Sequence, residues 1–445
     1  MDLARAIDDR TAQGIAATIS RLITNGDLEV GTRLPTVRAL AADLDVSPTT
    51  VSEAWRTLAA VGAIDPKGRL GTFVRNVPGP GGGQRYRRVT EGPGHFSLDL
   101  STGTPDPALL PDLGRMVAKV SRDHLTTSYL DPPVLPPLEE ALRARWPFHA
   151  EALTVVDGAM DAMDRVTREV VRLGDRVVVE HPTFPPVLDL LEQLGAEVIG
   201  VDQDDEGMSL EGLHAALARK PTLVLLQPRA QNPTGVSTTE RRAKAIAALV
   251  ERTDAVVLED DHSGDIASAP PVSVGRWLPS RTVHVRSFSK SHGPDLRLAA
   301  VGGAANVIDA VTARRLLGPG WSSRLLQAVL LAMLDDPKTI GTVDRARTTY
   351  AQRRSALASA LAERGIDARG SDGINLWVPV PDERSTAVAL ATQGIGVAPG
   401  SPFQVRPDAD HVRITVGLLR GSKAAVAQLA DQVVAAAGTR GRAGR

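Results

Sequence analysis

Residues 286–297 read Arg-Ser-Phe-Ser-Lys-Ser-His-Gly-Pro-Asp-Leu-Arg. One amine, Lys290, stands among hydroxyls, with a guanidinium seven positions later. A lysine held off water can condense with an aldehyde. Ser287, Ser289 and Arg297 together suit a phosphate. Taken alone, the string describes a solvated lysine in a polar loop equally well. The elements around it sharpen the reading. Residues 281–286 alternate Val283 and Val285 with polar neighbours and predict a strand. Residues 298–301 are again apolar. Lys290 is therefore expected on a turn between two buried strands, a good place to present one amine.

Four further points of chemistry precede it. The run 154–156 is followed by Asp157-Gly158-Ala159-Met160, which opens a helix. A glycine turn feeding a helix N-terminus can cradle a phosphate with backbone N–H groups. After the run 176–180 comes Phe184, whose flat face suits a heteroaromatic ring. After 222–227 comes Asn232-Pro-Thr-Gly235, a rigid turn that fixes one side-chain amide. After 255–259 comes Asp260-Asp261-His262, where a carboxylate could pair with a protonated ring nitrogen. Strand-like runs at 154–156, 176–180, 197–201, 222–226 and 255–259 alternate with helical runs such as 159–173 and 238–251. That alternation predicts an α/β domain with a largely parallel sheet covered by helices. Ligands of such sheets bind at the carboxyl ends of strands, where all of these points fall.

Taken in this order, the points resemble the fold type I pyridoxal-phosphate enzymes of the aspartate aminotransferase superfamily, over about residues 101–438. The resemblance implies pyridoxal 5'-phosphate as cofactor, held as an aldimine by Lys290. Asp260 would keep the pyridine nitrogen protonated, Asn232 would bond the ring 3-hydroxyl and Phe184 would stack on the ring. Gly158, Ala159, Met160, Ser287 and Arg297 would hold the phosphate. Tyr129, in Ser-Tyr-Leu-Asp-Pro, resembles the tyrosine that reaches the neighbouring subunit's phosphate. Arg413 resembles the late arginine that binds an amino acid's carboxylate. Four positions depart from the family pattern. His262 stands where a tyrosine usually touches the 3-hydroxyl, Ala159 and Met160 replace polar side chains, and Leu130 replaces a glycine.

The N-terminal quarter has a different character. Ile15, Ile19, Leu22 and Ile23 give a helical spacing over 11–26. A turn at 31–36 leads to a helix at 36–44. Ser47 is an expected N-cap and Pro48 an expected first helical residue of a third helix, 48–61, with Val51, Trp55 and Leu58 on its buried face. Residues 63–74 read as a hairpin with a basic tip. This pattern resembles the winged helix-turn-helix of the GntR family of transcription regulators, on the strings Gly-x-Arg-Leu-Pro-x-x-Arg, Leu-x-Val-Ser-x-x-Thr-Val and Gly-x-x-Gly-Thr-Phe-Val. The resemblance implies double-stranded DNA contacts from Arg38, Thr49 and Thr50, with Lys67, Gly68 and Arg69 as the wing. Residues 1–75 carry nine Lys/Arg and nine Asp/Glu. Affinity would then rest on a few placed cations and on dimerisation, not on a basic field.

The expected division is a winged helix-turn-helix at 1–75, a linker at 76–97 and an aminotransferase class I/II-like domain at 98–438 with a small C-terminal α+β subdomain. Glycine and proline dominate 78–83, and Arg85, Arg87 and Arg88 are read as solvated in preference to adding phosphate contacts beside the wing. The 445 residues and 42% hydrophobic content accommodate such cores, and a net charge of -1 excludes a globally basic protein. The absence of cysteine excludes disulfides and thiolate metal sites and suits a reducing cytoplasm. No apolar run approaches the ~18 residues of a membrane span. The two resemblances together are those of the MocR subfamily. They imply a homodimeric, cytoplasmic, DNA-binding transcription regulator that senses an amino acid or amine through aldimine exchange at Lys290. A working aminotransferase with a secondary DNA-binding domain is the alternative.

Overall fold

The computed structural model describes residues 3–24, 27–29, 31–60, 64–68, 71–74, 85, 89, 96–120 and 128–438. The chain forms two compact units, one centred on Met1–Gln84 and one holding most of the remainder.

The first unit is built on α1 (Ala12–Thr24), α2 (Val37–Leu44) and α3 (Pro48–Ala60). The starts of α2 and α3 have local causes. Thr36 Oγ1 accepts the Ala39 N–H at 3.2 Å and Ser47 Oγ accepts the Thr50 N–H at 3.1 Å, satisfying donors that lack an intrahelical partner. Asp45, at φ 54°, turns the chain between α2 and α3. Ile15, Ile19, Leu40, Leu44, Val51, Trp55 and Leu58 are buried together with Ile64 and Val74. Each such aliphatic residue contributes roughly 1.5–3 kcal/mol on burial. The hairpin is present as β2 (Ile64–Pro66) and β3 (Thr72–Val74), paired antiparallel. A third strand, β1 (Arg33–Leu34), pairs with β3 where the sequence suggested only a turn. Two residues are too few for a periodic signal.

The second unit is organised by an eight-stranded sheet. Its strands are β5 (Ala152–Val156), β6 (Arg176–His181), β7 (Glu197–Asp204), β8 (Gly207–Met208), β9 (Leu223–Leu226), β10 (Val256–Asp261), β11 (Thr282–Ser287) and β12 (Ala299–Gly303). Their order is β5-β12-β11-β10-β9-β6-β7-β8. The β6, β9, β10 and β11 neighbours are parallel, whereas β12 runs antiparallel to both β11 and β5. The segment between β11 and β12 is too short for the crossover a parallel neighbour needs. Helices flank the sheet, among them α4 (Ala159–Val170) and α5 (Glu240–Val250), whose Ala243, Ile246 and Val250 pack with Val178, Val224 and Val257.

α6 (Arg324–Asp335) and the 26-residue α7 (Pro337–Ala362) lead to a smaller sheet. It contains β13 (Asn375–Pro379), β15 (Ala398–Pro399) and β16 (His411–Thr415), covered by α8 (Lys423–Gly438). Tyr350, Leu357, Leu376, Ile414 and Leu429 share its core. β4 (Leu98–Asp99) pairs parallel with β14 (Ile395–Gly396), tying the start of this unit to its end. Two expectations about residues 76–97 are corrected. Arg85 is not simply solvated, because its Nη1 donates to the Gln404 carbonyl at 3.0 Å. Val89 is buried with Trp377 and Phe403, so this part of the segment packs. Arg87 and Arg88 lie outside the described residues.

Candidate functional site

The carboxyl ends of β5, β6, β9, β10 and β11 lie along one edge of the large sheet, and most of the expected residues gather there. Lys290 sits on the turn after β11, half-buried, with Nζ 2.9 Å from His262 Nδ1. His262 Nε2 lies 3.1 Å from the Ala230 carbonyl, which can only accept. Nε2 therefore carries the proton and Nδ1 accepts from Lys290. Burial, reinforced by the Lys290 charge, holds His262 well below the usual imidazole range, so the ring is neutral. Burial likewise lowers the Lys290 ammonium to about 8, opposed by Asp260 and assisted by Arg413.

Strand alternation divides the three consecutive acids at the end of β10. Glu259 accepts from Ser273 Oγ at 2.5 Å and the Val274 N–H at 2.7 Å, and lies 2.8 Å from His284 Nδ1. Asp261, on the same face, is gripped by Arg229 at 3.2 and 2.5 Å. Asp260 points the other way. Gln227 Nε2 donates to its Oδ2 at 2.7 Å, while its Oδ1 is buried without a partner. Burial raises Asp260 to about 6 against the lowering effects of Gln227 and Lys290. A buried carboxylate with one empty acceptor and an amine nearby is an arrangement for holding a cationic N–H.

Gln227 escaped the sequence reading, yet it joins the site's parts. Its Oε1 accepts the Asn232 N–H at 2.8 Å and its own N–H donates to Glu180 Oε2 at 2.9 Å. Burial raises Glu180 to about 8, so this carboxyl is largely protonated at neutral pH. A glutamine before a Pro-containing turn carries no periodic signal; only its position at the end of β9 could have drawn notice. Asn232 Oδ1 accepts from Arg413 Nη1 at 3.1 Å and from Asn375 Nδ2 at 3.3 Å, which directs the amide N–H2 group elsewhere. Arg413, on β16 and 2% exposed, also donates to the Ser101 carbonyl and lies 5.0 Å above the Phe403 ring.

The turn after β5 makes the second half of the site. Gly158 has φ 102° and caps α4 with no side-chain bond, so the first N–H groups of this 12-residue helix remain open. A Cβ on Gly158 would stand 3.1 Å from Arg297 Nη2. That nitrogen donates to the Asp157 carbonyl at 3.2 Å. Glycine thus admits the guanidinium beside the helix N-terminus, next to Ala159 and Met160. Ser287, 4% exposed, ends β11 and accepts the Ser289 N–H at 3.3 Å. Two expected residues make no side-chain hydrogen bond within the cluster. Phe184 is half-buried after β6, where the Thr183 N–H donates to the Phe403 carbonyl at 2.9 Å. Tyr129 is 87% exposed, its ring 5.9 Å from that of Trp321, and takes no part in the Lys290 cluster.

In the first unit Arg38 and Thr49 are exposed on α2 and α3. The Thr50 hydroxyl is 2.8 Å from Ser47 Oγ, which makes it part of the cap as well as of the helix surface. Lys67 and Gly68 are exposed at the hairpin tip, with Lys67 Nζ 5.7 Å above the Phe73 ring. Arg69 lies outside the described residues.

The family model "Aminotransferase class I and II" matches residues 97–433, and "Bacterial regulatory proteins, gntR family" matches residues 11–74. The chain is 37% identical to the "Vitamin B6 salvage pathway transcriptional repressor PtsJ" of Salmonella typhimurium, over 94% of this chain and 96% of that protein. This chain belongs to the MocR subfamily of GntR-type regulators. The MocR architecture extends to the "HTH-type transcriptional regulator TauR" of Rhodobacter capsulatus, 29% identical over 86% of this chain and 87% of its own. Among solved structures, LysN, an α-aminoadipate aminotransferase from Thermus thermophilus complexed with N-(5'-phosphopyridoxyl)-L-leucine, matches with a TM-score of 0.68 at 20% identity, covering 79% of this chain and 94% of that one. An archaeal alanine:glyoxylate aminotransferase matches with a TM-score of 0.69 at 21% identity over 80% and 93%. The MocR domain is thus a pyridoxal-phosphate fold type I domain, and its cofactor is pyridoxal 5'-phosphate. The empty Asp260 Oδ1, the lowered Lys290 amine and the open α4 N-terminus beside Arg297 fit that cofactor's ring nitrogen, aldehyde and phosphate.

Proposed function

We propose that this MocR protein is a pyridoxal-phosphate-dependent, DNA-binding transcription regulator whose operator affinity responds to an amino acid or amine captured at Lys290. The carrying observation is the Lys290–His262–Asp260 arrangement in a chain that also has a GntR-type domain. The cofactor supplies an aldehyde that condenses with amines and a ring that withdraws electrons. The chain's own residues do the rest. Lys290, lowered to about 8, offers a sizeable unprotonated fraction near neutral pH. His262 Nδ1 accepts a proton-bearing nitrogen at Lys290 and holds its direction. Asp260, kept in line by Gln227, accepts from the ring nitrogen. The Asn232 amide donates to the ring hydroxyl, and Phe184 covers the ring. The α4 N-terminus at Gly158, Ala159 and Met160, with Ser287 and Arg297, takes the phosphate. Arg413 pairs with an effector carboxylate, and exchanging its Asn232 contact for that carboxylate is what distinguishes bound from free protein.

Domain boundaries near 75 and 98, and a cytoplasmic homodimer, complete the reading. Tyr129, exposed, is suited to reach the partner's phosphate, and paired heads suit paired half-sites. Arg38, Thr49, Thr50, Lys67, Gly68 and Arg69 form the DNA-contacting set. Among the described residues no helix is long and apolar enough to cross a membrane. The test is the visible absorption of the full-length protein with pyridoxal phosphate, titrated with amino acids and amines. A ligand that shifts the band without consuming the cofactor supports sensing. Turnover with a 2-oxo acid and no DNA binding would instead establish an aminotransferase. A second reading is favoured by the repressor that is 37% identical, whose name refers to vitamin B6 salvage: the cofactor itself is the signal. In that case cofactor alone changes DNA affinity and added amines change nothing further.

A further inference from the structure

Behind the Lys290 turn lies a cavity of about 230 Å3 that the cofactor site does not use. Arg145, Arg286, Arg347, Asp265, Asp344 and His292 form its polar side. Met333, Leu334, Ile340 and Val343, from α6 and α7, form its apolar side. Arg286 is 8% exposed: Nη2 donates to Asp265 at 2.7 Å, and Nε is buried with no partner. Arg347 Nε donates to the Asp265 carbonyl at 2.8 Å, and its Nη1 is 3.0 Å from Asp344. His292 is 4% exposed; its Nδ1 meets Ser291 Oγ at 2.8 Å, which leaves Nε2 for the cavity. Burial pushes His292 down to about 4, so the ring is neutral. Arg145 Nη2 pairs with Asp335 at 3.1 Å, so each of the three arginines has one aspartate, and the buried Arg286 Nε is the donor left open beside an aliphatic wall.

We propose that this cavity is a second small-molecule site, distinct from the cofactor site, for a monocarboxylate with a short aliphatic body. The carboxylate would meet Arg286, Arg347 and His292, and the body would lie on Met333, Ile340 and Val343. An isolated anion such as phosphate would leave that apolar wall uncovered, which favours the carboxylic acid. The same residues connect the cavity to the cofactor site. His292 is two positions from Lys290, and its N–H donates to the Phe288 carbonyl at 2.8 Å. Arg286 adjoins Ser287. Gly264, beside Asp265, packs so closely that a Cβ there would lie 2.7 Å from the Ser287 carbonyl. Ser263, next to it, is 3.3 Å from the His262 nitrogen that faces Lys290. Filling the cavity would thus bear on two segments, 286–292 and 262–265, that carry cofactor-site residues.

The probe is 3-methylbutanoate, which has neither amine nor keto group. Its binding to full-length, cofactor-loaded protein is followed by calorimetry and by the cofactor's absorption. Saturable binding tighter than about 10 mM is expected. Ile340→Trp, at the 46%-exposed rim, should weaken it at least tenfold, while Arg413→Lys leaves it within a factor of two. Asp344→Asn, which releases Arg347, should tighten it about threefold. A band shift on binding adds the coupling; binding without a shift removes the coupling and keeps the site. Loss on Arg413→Lys with no effect of Ile340→Trp would place the probe in the cofactor site and overturn the proposal. So would saturable binding of inorganic phosphate with none of 3-methylbutanoate, or no saturable binding at all.

Discussion

Replacing Gln227 with leucine tests whether one neutral side chain sets the electronics of the cofactor site. Leucine is nearly isosteric but makes neither the 2.7 Å bond to Asp260 nor the 2.8 Å bond from Asn232. Asp260 is 2% exposed and already lacks a partner at Oδ1. A hydrogen bond to a charged acceptor is worth about 1.5–3 kcal/mol, which would move Asp260 about one to two pH units higher. Starting from about 6, the carboxyl then becomes half or more protonated at neutral pH. It can no longer hold a protonated ring nitrogen by charge. The Asn232 backbone N–H loses its Gln227 Oε1 acceptor too, at a further cost of about 1–3 kcal/mol to the folded protein. Cofactor affinity of Gln227→Leu, measured by equilibrium dialysis, should fall about ten- to a hundredfold at pH 7. It should fall less as pH rises, because Asp260 ionises again. Urea unfolding of the apoprotein should show the separate cost at Asn232. Unchanged affinity with unchanged stability would refute the assignment of Gln227 as the residue that positions Asp260.

Three other outcomes follow from the same geometry. The rate of cofactor capture by apoprotein should rise through about pH 8 and then level, since the Lys290 amine is lowered from 10.5. Between those values the unfolded chain holds one more proton than the folded one, so apoprotein stability should also rise with pH across that window; stopped-flow absorption and urea titrations check the two parts. Gly158→Ala forces a side chain into φ 102° and against Arg297, and should cost about 1–3 kcal/mol in thermal or urea unfolding while weakening phosphate-bearing ligands. Lys67→Ala, at the exposed hairpin tip, should weaken DNA binding and lower the slope of log affinity against log salt by about one in fluorescence anisotropy titrations.

Much of this architecture is legible in the residues because it is periodic or punctuated. Val51, Trp55 and Leu58 repeat at helical spacing and are buried as expected. β9 is a continuous apolar run, β6 and β10 carry apolar runs that end in acids, and β11 alternates, so each parallel strand is legible. Residues without period were harder to read. β1 is two residues long, held by β3 instead of by any pattern of its own. Arg85 and Val89 follow a glycine- and proline-rich run, so local composition hid contacts made with residues more than 280 positions away. Asp260 and Asp261 are adjacent in sequence, yet strand alternation sends one to the amine and the other to Arg229. Gln227 is invisible as a single letter, because its use depends on β9 and β10 being neighbours. His262, a departure from the family pattern, has a definite partner in Lys290, whose amine approaches it at 2.9 Å.

The most direct test compares wild type and Lys290→Ala for binding to operator DNA selected in vitro by the full-length, cofactor-loaded protein. The comparison is made with and without an amine that shifts the cofactor's absorption. A tenfold change in DNA affinity corresponds to about 1.4 kcal/mol of differential binding. The expected result is a change of at least that size in wild type and none in Lys290→Ala. An equal response in both proteins would show that the signal enters elsewhere and would contradict sensing at Lys290.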